Sequence, residues 1–223
     1  MYKDKRFKYL DNNYNNHIYK GPIGFLMNNC HKDLESSMIF DNNHEHLLEI
    51  GAGSMPHINF VKSKFKKYSI AEISDNSKKF IKENYNIDVD IYDGKNLPYD
   101  DLSFDRIIIS HCLEHIQDPE NFLDTAMNKL EKNGIISISL PTDPGILWRL
   151  GRLIISRTRL KKTYSIDNLT YNYLNAIEHI NSIFNLINII KYKYKKNIKE
   201  SYYPFKLPLV DINLFYNVDI SKN

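Results

Sequence analysis

A glycine-rich turn follows the short apolar run His46–Ile50. Gly51 allows the chain to turn tightly there, and Gly53 leaves room for a ligand to approach the backbone. Glu72 ends the next apolar run about twenty residues later, where a carboxylate can accept hydrogen bonds from both hydroxyls of a ribose. Asp93 ends a third run and can accept a hydrogen bond from an adenine amino group. These spacings predict a binding site for a nucleoside.

The residues after the turn argue against a dinucleotide. The third glycine of the dinucleotide fingerprint is missing, and Pro56 and His57 follow instead. That glycine lets a helix approach the pyrophosphate closely, so its absence disfavours NAD or FAD. A nucleotide-dependent oxidoreductase on a similar sheet is therefore a distant alternative.

Three histidines in the sequence are candidates for proton transfer: His111, His115 and His179. His111 and His115 lie four residues apart and could share a helical face, but no third ligand accompanies them at metal spacing. We therefore expect no metal site. His179 stands beside Glu178 on a predicted helix, and a structural or surface role is the alternative for it. His111 and His179 remain the candidate catalytic residues, because a hydroxyl acceptor benefits from a general base.

Apolar runs alternate with helical patterns between residues 46 and 141, which predicts parallel strands with helices on both faces of the sheet. Two terminal strands would complete a doubly wound, mostly parallel α/β fold of seven strands. The predicted strands are His46–Ile50, Tyr68–Ile73, Ile87–Tyr92, the run Ile107–Ile109, Ile135–Leu140, Ile198–Tyr203 and Leu214–Ile220.

Apolar spacing and capping residues mark the predicted helices. Ser74 or Asp75 can cap one of them. The others are Gly24–Ser36, a helix carrying Ile58, Val61 and Phe65, one that starts at Asp118-Pro119 and stops at Asn133-Gly134, and one long amphipathic helix from Leu174 to Ile190. We expect residues 1–45 to form an N-terminal arm and helix that serve as a lid. Residues 46–223 would form the main domain, with an insert at about 142–170 after the fifth strand.

Composition and charge exclude several classes of protein. The 223 residues are 42% hydrophobic and 26% charged, as in an ordinary globular protein, and the net charge of +3 is too small to predict nucleic-acid binding. Two cysteines cannot form a disulfide framework, which favours a reducing compartment. No run approaches about 18 apolar residues, and the first residues lack a secretory signal. We expect a cytoplasmic protein whose basic insert can contact the inner face of the membrane peripherally.

Four segments occur in an order shared with a known family: LLEIGAGS, AEIS, DGKNLPYDDLSFDRIIISHCLEHI and LEKNGIISISLP. Together they closely resemble the motifs of class I S-adenosylmethionine-dependent methyltransferases, over residues 46–141. The resemblance implies a Rossmann-like fold and an enzyme that binds S-adenosylmethionine and releases S-adenosylhomocysteine.

By this resemblance, residues at the ends of the first four strands would bind the cofactor. Glu49, Gly51 and Gly53 would lie against its methionine part. Glu72 would hold the ribose and Asp93 the adenine amine. The full set of expected cofactor contacts is Glu49, Gly51, Ala52, Gly53, Glu72, Ile73, Asp93, Gly94, Ser110 and His111. His115 belongs to the family motif, so we expect it to pack rather than to react.

Acceptor specificity is expected in the insert and the N-terminal arm. Arg149 and Arg152 suit bidentate binding of phosphate, and Trp148 suits an interface or the face of a sugar. Tyr19 would fold over the cofactor, as N-terminal extensions do in similar enzymes. These residues predict a small or phosphate-bearing acceptor, such as a sugar nucleotide or a lipid-linked glycan of surface-polysaccharide biosynthesis.

Other readings stay open for the acceptor and for the activity. A phospholipid-headgroup amine or a quinone-like molecule is the alternative acceptor. A catalytically silent module that binds the cofactor is the alternative to an enzyme, because no single residue is diagnostic of catalysis. We expect a monomer or a homodimer, and no nucleic-acid partner.

Overall fold

The structure, a computed structural model, describes residues 21–37, 43–53, 57–156 and 167–222. The expected lid residue Tyr19 and the basic residues 157–162 lie outside these ranges. Among the described residues, no helix is long and apolar enough to cross a membrane.

Seven strands form a single sheet, as predicted. They are β1 (Asn43–Ile50), β2 (Lys64–Glu72), β3 (Val89–Ile91), β4 (Phe104–Ser110), β5 (Leu130–Pro141), β6 (Ile198–Tyr203) and β7 (Phe215–Ser221). Their order across the sheet is β3-β2-β1-β4-β5-β7-β6. The first five strands pair in parallel, and β7 runs antiparallel to both β5 and β6. The carboxyl ends of β1 to β5 therefore meet at one edge, where ligands bind in open α/β sheets.

Six α-helices accompany the sheet in the described part of the chain. They are α1 (Gly21–Ser37), α2 (Asp75–Tyr85), α3 (Pro119–Lys129), α4 (Ile146–Gly151), α5 (Asn168–Glu178) and α6 (Ile183–Tyr194). A π-helical turn, Arg152–Ser156, continues α4. The predicted caps are confirmed at two helices: Ser74 accepts a hydrogen bond from the Ser77 backbone N–H, and Asp118 accepts one from the Asn121 N–H.

The helix predicted around Ile58 and Phe65 is wrong. Only the 3₁₀ turn His57–Asn59 follows the glycine turn, and the strand β2 already begins at Lys64. The apolar spacing was misleading because Phe65 belongs to β2. Together with Val61 and Tyr68, it packs against the buried cluster of Leu34, Leu47 and Ile108.

The single long helix predicted from Leu174 to Ile190 is also wrong, because it is two helices. The chain leaves the helical conformation at His179, and Ser182 caps α6. Asn181 holds the break: its backbone N–H donates to the Glu114 carbonyl at 3.1 Å, and its side-chain amide donates to the Ile116 carbonyl at 2.6 Å. The break brings His179 against the segment that follows β4.

The predicted helix stop at Asn133-Gly134 is wrong by several residues. Helix α3 ends at Lys129, and Leu130 is already extended and paired with Phe104 in the sheet. Gly134 is needed for a close approach within β5, since a Cβ there would lie 2.9 Å from the Asp105 carbonyl oxygen.

Helix α1 packs on the β5, β7 and β6 side of the sheet. Cys30 Sγ lies 3.0 Å from Ser139 Oγ of β5. The buried carboxylate of Asp33 accepts hydrogen bonds from Ser201 of β6 and Asn217 of β7. Polar contacts therefore join this helix to three strands of the main sheet.

Candidate active site

The glycine turn after β1 needs both of its glycines, for different reasons. Gly51 has φ of 72° and Gly53 has φ of 59°, in the left-handed region that disfavours side chains. A Cβ on Gly51 would lie 2.6 Å from Cys112 Sγ, so the backbone is packed tightly there. A Cβ on Gly53 would meet no atom of the described residues within 4 Å. The turn thus exposes backbone at Gly53 to open space, as a cradle for a ligand requires.

Glu72 lies against this turn at the end of β2. Its Oε2 accepts a hydrogen bond from the Gly53 N–H at 2.9 Å, and its Oε1 accepts one from the Ile73 N–H at 2.7 Å. The side chain is only 5% exposed. Glu72 therefore shapes the glycine turn, a role that the sequence alone did not reveal.

Asp93 and Gly94 follow β3 beside Ile73. The Asp93 carboxylate accepts hydrogen bonds from the N–H groups of Asn96 and Lys95, which lower its pKa to about 2 and keep it ionised. Gly94 has φ of 81°, and its Cβ position lies 3.8 Å from Ile73 Cγ2. Ile73 is 63% exposed, an apolar surface of the kind that packs against an adenine ring. An ionised hydrogen-bond acceptor, Asp93, and an exposed apolar side chain, Ile73, therefore lie close together at this edge of the sheet.

Glu49 is buried below the turn rather than open to it. It accepts hydrogen bonds from the His57 N–H at 2.9 Å and from the Tyr68 hydroxyl at 2.8 Å. Burial raises the pKa of Glu49 to about 7, although both hydrogen bonds oppose the shift. Glu49 contacts the chain that follows the glycine turn, so it can influence a bound cofactor through that backbone.

A buried polar network that the sequence did not indicate ties α1 to the same segment. His57 Nε2 lies 2.8 Å from Glu35 Oε1, and the Arg106 guanidinium of β4 lies 2.8 Å from the same oxygen. Burial opposes ionisation of Glu35, but the His57 hydrogen bond and Arg106 outweigh it and lower the pKa to about 2. His31 Nδ1 lies 2.8 Å from His57 Nδ1. His31 and Glu35 of α1 and Arg106 of β4 thus fix the position of His57.

Ser110 and His111 end β4, as expected. His111 has φ of 52°, and its N–H donates to the Ser139 carbonyl at 2.9 Å. Its ring meets the Phe215 ring at 5.2 Å and lies 3.7 Å from Cys30 Sγ. Burial lowers the pKa of His111 to about 4, so the imidazole is neutral and has little affinity for a proton. This environment suits a pocket wall better than a general base.

On the other side of the edge, His179 meets the residues that follow β5. His179 Nδ1 donates to Asp143 Oδ2 at 2.9 Å, and the Arg152 guanidinium donates to the same oxygen at 2.6 Å. Burial opposes ionisation of Asp143, but these partners lower its pKa below the ordinary value. Burial opposes protonation of His179, but its hydrogen bond to Asp143 and the charge of Glu114 outweigh burial and raise the pKa of His179. The structure joins His179 to Asp143, a residue that sequence reasoning missed.

Glu114 and His115 lie beside His179 on the 3₁₀ turn after β4. His115 Nδ1 donates to the Glu178 carbonyl at 2.7 Å, and its ring meets the His179 ring at 5.1 Å. Glu114 is buried, His115 is exposed, and the three side chains offer ligand atoms within 4.8 Å of one another. His115 therefore packs against His179 and hydrogen-bonds the end of α5.

The insert contributes Trp148, Arg149 and Arg152 to this side. The Trp148 ring lies 6.4 Å from the His179 ring and 5.8 Å from the Phe215 ring. Arg149 is exposed on α4, whereas Arg152 is held by Asp143. The two arginines expected to act together thus have different surroundings.

The residues at the ends of β1 to β3 fit an adenosyl group. Open space lies over the Gly53 backbone, and the exposed face of Ile73 lies beside Gly94. Glu72 and Asp93 supply carboxylates at the strand ends, and the third glycine that a diphosphate needs is absent. S-adenosylmethionine, a nucleoside that carries an amino acid without a diphosphate, is compatible with this donor set.

Comparisons with known proteins agree with this geometry. Residues 48–138 match the family model for a methyltransferase domain, a stretch that includes the glycine turn, Glu72, Asp93 and the segment after β4. No curated protein matches the chain significantly in sequence.

Solved structures share the fold over nearly the whole chain. An S-adenosylmethionine-dependent methyltransferase of Thermotoga maritima, described as a possible histamine N-methyltransferase, is 16% identical with a TM-score of 0.63, and the match covers 97% of this chain and 98% of that one. The plantazolicin methyltransferase in complex with a pentazolic desmethylPZN analogue and S-adenosylhomocysteine is 14% identical with a TM-score of 0.67, and the match covers 99% of this chain and 92% of that one. An S-adenosylmethionine-dependent methyltransferase of Aquifex aeolicus is 12% identical with a TM-score of 0.59, over 100% of both chains.

The solved structures establish the fold, and the family match identifies a domain within it. The glycine turn and the strand-end carboxylates lie inside the matched residues 48–138, at one edge of the sheet. The chain therefore carries a methyltransferase domain and has the fold of solved S-adenosylmethionine-dependent methyltransferases.

Proposed function

We propose that this methyltransferase acts on a hydroxyl group of a phosphate-bearing acceptor that is carried on a lipid, such as a lipid-linked glycan. The observation that carries the proposal is the hydrogen bond of 2.9 Å between Asp143 and His179 on the acceptor side of the sheet edge. The cofactor supplies an activated methyl group on a sulfonium, so the protein mainly has to bring the acceptor to it and exclude water.

The Asp143–His179 pair favours a hydroxyl over an amine. An amine needs only to arrive neutral, whereas a hydroxyl must lose its proton as it reacts and benefits from a polar group beside it. Because a carboxylate only accepts, Asp143 fixes the proton of His179 on Nδ1 and leaves Nε2 as the atom available to an acceptor. Arg152 holds Asp143 in place at 2.6 Å.

Charge and apolar surface on the insert favour a lipid-linked phosphate. Arg149 is exposed on α4, and guanidinium groups suit bidentate binding of phosphate. Exposed apolar side chains surround it on the same short helix and the turn after it: Ile146, Leu150, Leu153 and Ile154. Helix α4 also contacts the turn Val210–Ile212. Ile212 in this turn and Leu209 just before it are both exposed. Such an apolar surface with an arginine suits the interface of a bilayer better than a water-soluble sugar nucleotide.

Mass spectrometry of lipid extracts tests the proposal. The purified protein is incubated with isotopically labelled S-adenosylmethionine and either a lipid extract containing polyprenyl-linked glycans or a mixture of soluble sugar nucleotides. We expect labelled methyl ethers in the lipid fraction and none in the sugar-nucleotide fraction. Label on a headgroup amine, or in the soluble fraction alone, would contradict the proposed acceptor without affecting the assignment as a methyltransferase.

A further inference from the structure

Three potential metal ligands from distant parts of the chain converge at the acceptor side. Glu114 and His115 come from the turn after β4, and His179 comes from the end of α5, and each offers a ligand atom within 4.8 Å of the other two. At metal–ligand bonds of about 2.0–2.2 Å, the ligand atoms of a tetrahedral ion lie about 3.3–3.6 Å apart. Side-chain adjustments on the order of 1 Å would therefore bring all three onto one ion.

Hydrogen bonds fix both imidazole rings in the form that binds metals. The Glu178 carbonyl can only accept, so His115 carries its proton on Nδ1 and presents the Nε2 lone pair. The Asp143 carboxylate does the same for His179. A metal-binding histidine commonly donates its other N–H to a carbonyl or a carboxylate in this way. Arg152 extends the arrangement by holding Asp143.

The third group is a buried carboxylate oxygen without a hydrogen-bond partner. Glu114 is 3% exposed, and its Oε2 receives no hydrogen bond from any residue that the structure describes, while its Oε1 lies 3.7 Å from His115 Nε2. A buried polar atom left unsatisfied costs stability. This cost is hard to explain by packing alone, and a cation between the carboxylate and the two imidazoles would remove it.

We propose that Glu114, His115 and His179 bind one divalent first-row transition-metal cation at the acceptor side of the active site. Two imidazole nitrogens and one carboxylate suit Zn²⁺, Fe²⁺, Co²⁺ or Mn²⁺ better than Mg²⁺, which prefers oxygen ligands. The exposure of His115 leaves the remaining coordination positions open to solvent and to an acceptor. Three protein ligands with an open position are the arrangement of catalytic rather than structural sites.

The chemical role of this cation rests on the proposed function, with His179 Nε2 then acting on the acceptor hydroxyl through the metal instead of directly. A hydroxyl oxygen of the acceptor occupies an open position, and the cation lowers the pKa of that hydroxyl by stabilising the negative oxygen. Its proton passes to bulk water, the oxygen–methyl bond forms, and the carbon–sulfur bond of the sulfonium breaks with its electrons remaining on sulfur. No oxidant or reductant is needed.

Titration with cobalt(II) chloride alone tests the site in the full-length protein after treatment with a chelator. We expect one Co²⁺ per chain, with visible absorption bands that report nitrogen ligation. His115→Ala, Glu114→Gln and His179→Ala should each weaken binding at least about tenfold, and Asp143→Asn should weaken it about 10–100-fold by releasing the His179 ring. His46→Gln is the matched control, because His46 binds Ser69 away from this edge, and its affinity should equal that of wild type.

Circular dichroism and S-adenosylhomocysteine affinity establish that each variant is folded. His115 is exposed, so its alanine variant remains informative even where the change at buried Glu114 prevents folding. Wild-type protein that binds no Co²⁺, or an affinity that His115→Ala leaves unchanged, would overturn the inference. Because the titration contains no acceptor, Co²⁺ binding without any O-methylation refutes the proposed function alone, and O-methylation that survives chelation without Co²⁺ binding refutes the cation alone.

Discussion

The proposed cofactor side, at the ends of β1 to β3, and the proposed acceptor side, around Asp143 and His179, are built from different kinds of sequence. On the cofactor side, Gly51, Glu72 and Asp93 each lie at or just after the end of a strand, so the strand pattern locates them. On the acceptor side, His179 meets Asp143 across 36 residues and Glu178 meets His115 across 63 residues. The first arrangement follows from residue spacing along the chain, whereas the second forms only once the chain has folded.

The difference has a chemical cause. Every class I enzyme binds the same cofactor, so turn geometry and strand-end carboxylates suffice for it and recur in short segments. The acceptor side must match a particular molecule and uses whichever side chains the later connections bring together. Substitutions on the two sides should therefore affect different measurements: cofactor affinity on one, and turnover or acceptor affinity on the other.

The largest effect is expected at His179. His179→Ala should lower kcat by about 10²–10⁴-fold, because the acceptor hydroxyl loses the imidazole beside it. Affinity for S-adenosylhomocysteine should stay within about twofold of wild type, since His179 lies on the acceptor side. Steady-state kinetics and calorimetry give the two quantities.

His111→Asn provides the comparison on the pocket wall. Burial holds the pKa of His111 at about 4, so it is a weak base and kcat should fall by less than about tenfold. If kcat fell equally in His111→Asn and His179→Ala, His111 would also take part in the reaction. Catalysis would then not be confined to the residues around His179.

Gly51→Ala and Gly53→Ala should separate stability from binding within the same turn. Gly51→Ala combines a positive φ with a contact to Cys112 at 2.6 Å, and it should lower the free energy of unfolding by about 2–4 kcal/mol. Gly53→Ala carries only the cost of its φ, about 1–2 kcal/mol, but its Cβ enters the open space over the backbone. We expect thermal unfolding to respond more to the first, and S-adenosylhomocysteine affinity to respond strongly to the second. If Gly53→Ala bound S-adenosylhomocysteine with wild-type affinity, the cofactor would not occupy this space.

Glu72→Ala should weaken S-adenosylhomocysteine binding by about 2–3 kcal/mol, or about 30–150-fold, through loss of charge-assisted hydrogen bonds to the ribose. The structure adds a second reason, because Gly53 loses the carboxylate that accepts its N–H. Glu72 is buried, so some loss of stability is also expected. Calorimetry with S-adenosylhomocysteine measures the affinity, and NADH should not bind either protein. Unchanged affinity would refute the role of Glu72.

The seven strands, their class and the order of the motifs could be predicted because strand runs and glycine turns are local. The break at Asn181 could not, since it depends on carbonyls of Glu114 and Ile116 that lie more than sixty residues earlier. The same limit hid the neighbour of His115. Sequence spacing indicated no partner for it, and His179 reaches it only through the break between α5 and α6. Nothing in the sequence distinguished Asp143 from other acidic residues, because its hydrogen bond to His179 exists only in the folded protein.

The smallest effect is expected at Arg149, and Arg152 is its natural control. Arg149 is exposed, so the loss of one phosphate contact should cost about 1 kcal/mol and raise KM for the acceptor about fivefold. Arg152 is held by Asp143, so Arg152→Ala should lower kcat more than it raises KM, because the Asp143–His179 pair loses its support. The double alanine variant should show both changes and leave S-adenosylhomocysteine affinity unaltered, since neither arginine lies at the ends of β1 to β4. If the acceptor kinetics of the double variant matched those of wild type, the insert would serve only as scaffold. A phosphate on the acceptor would then have no support, whereas the expected cofactor contacts would be unaffected.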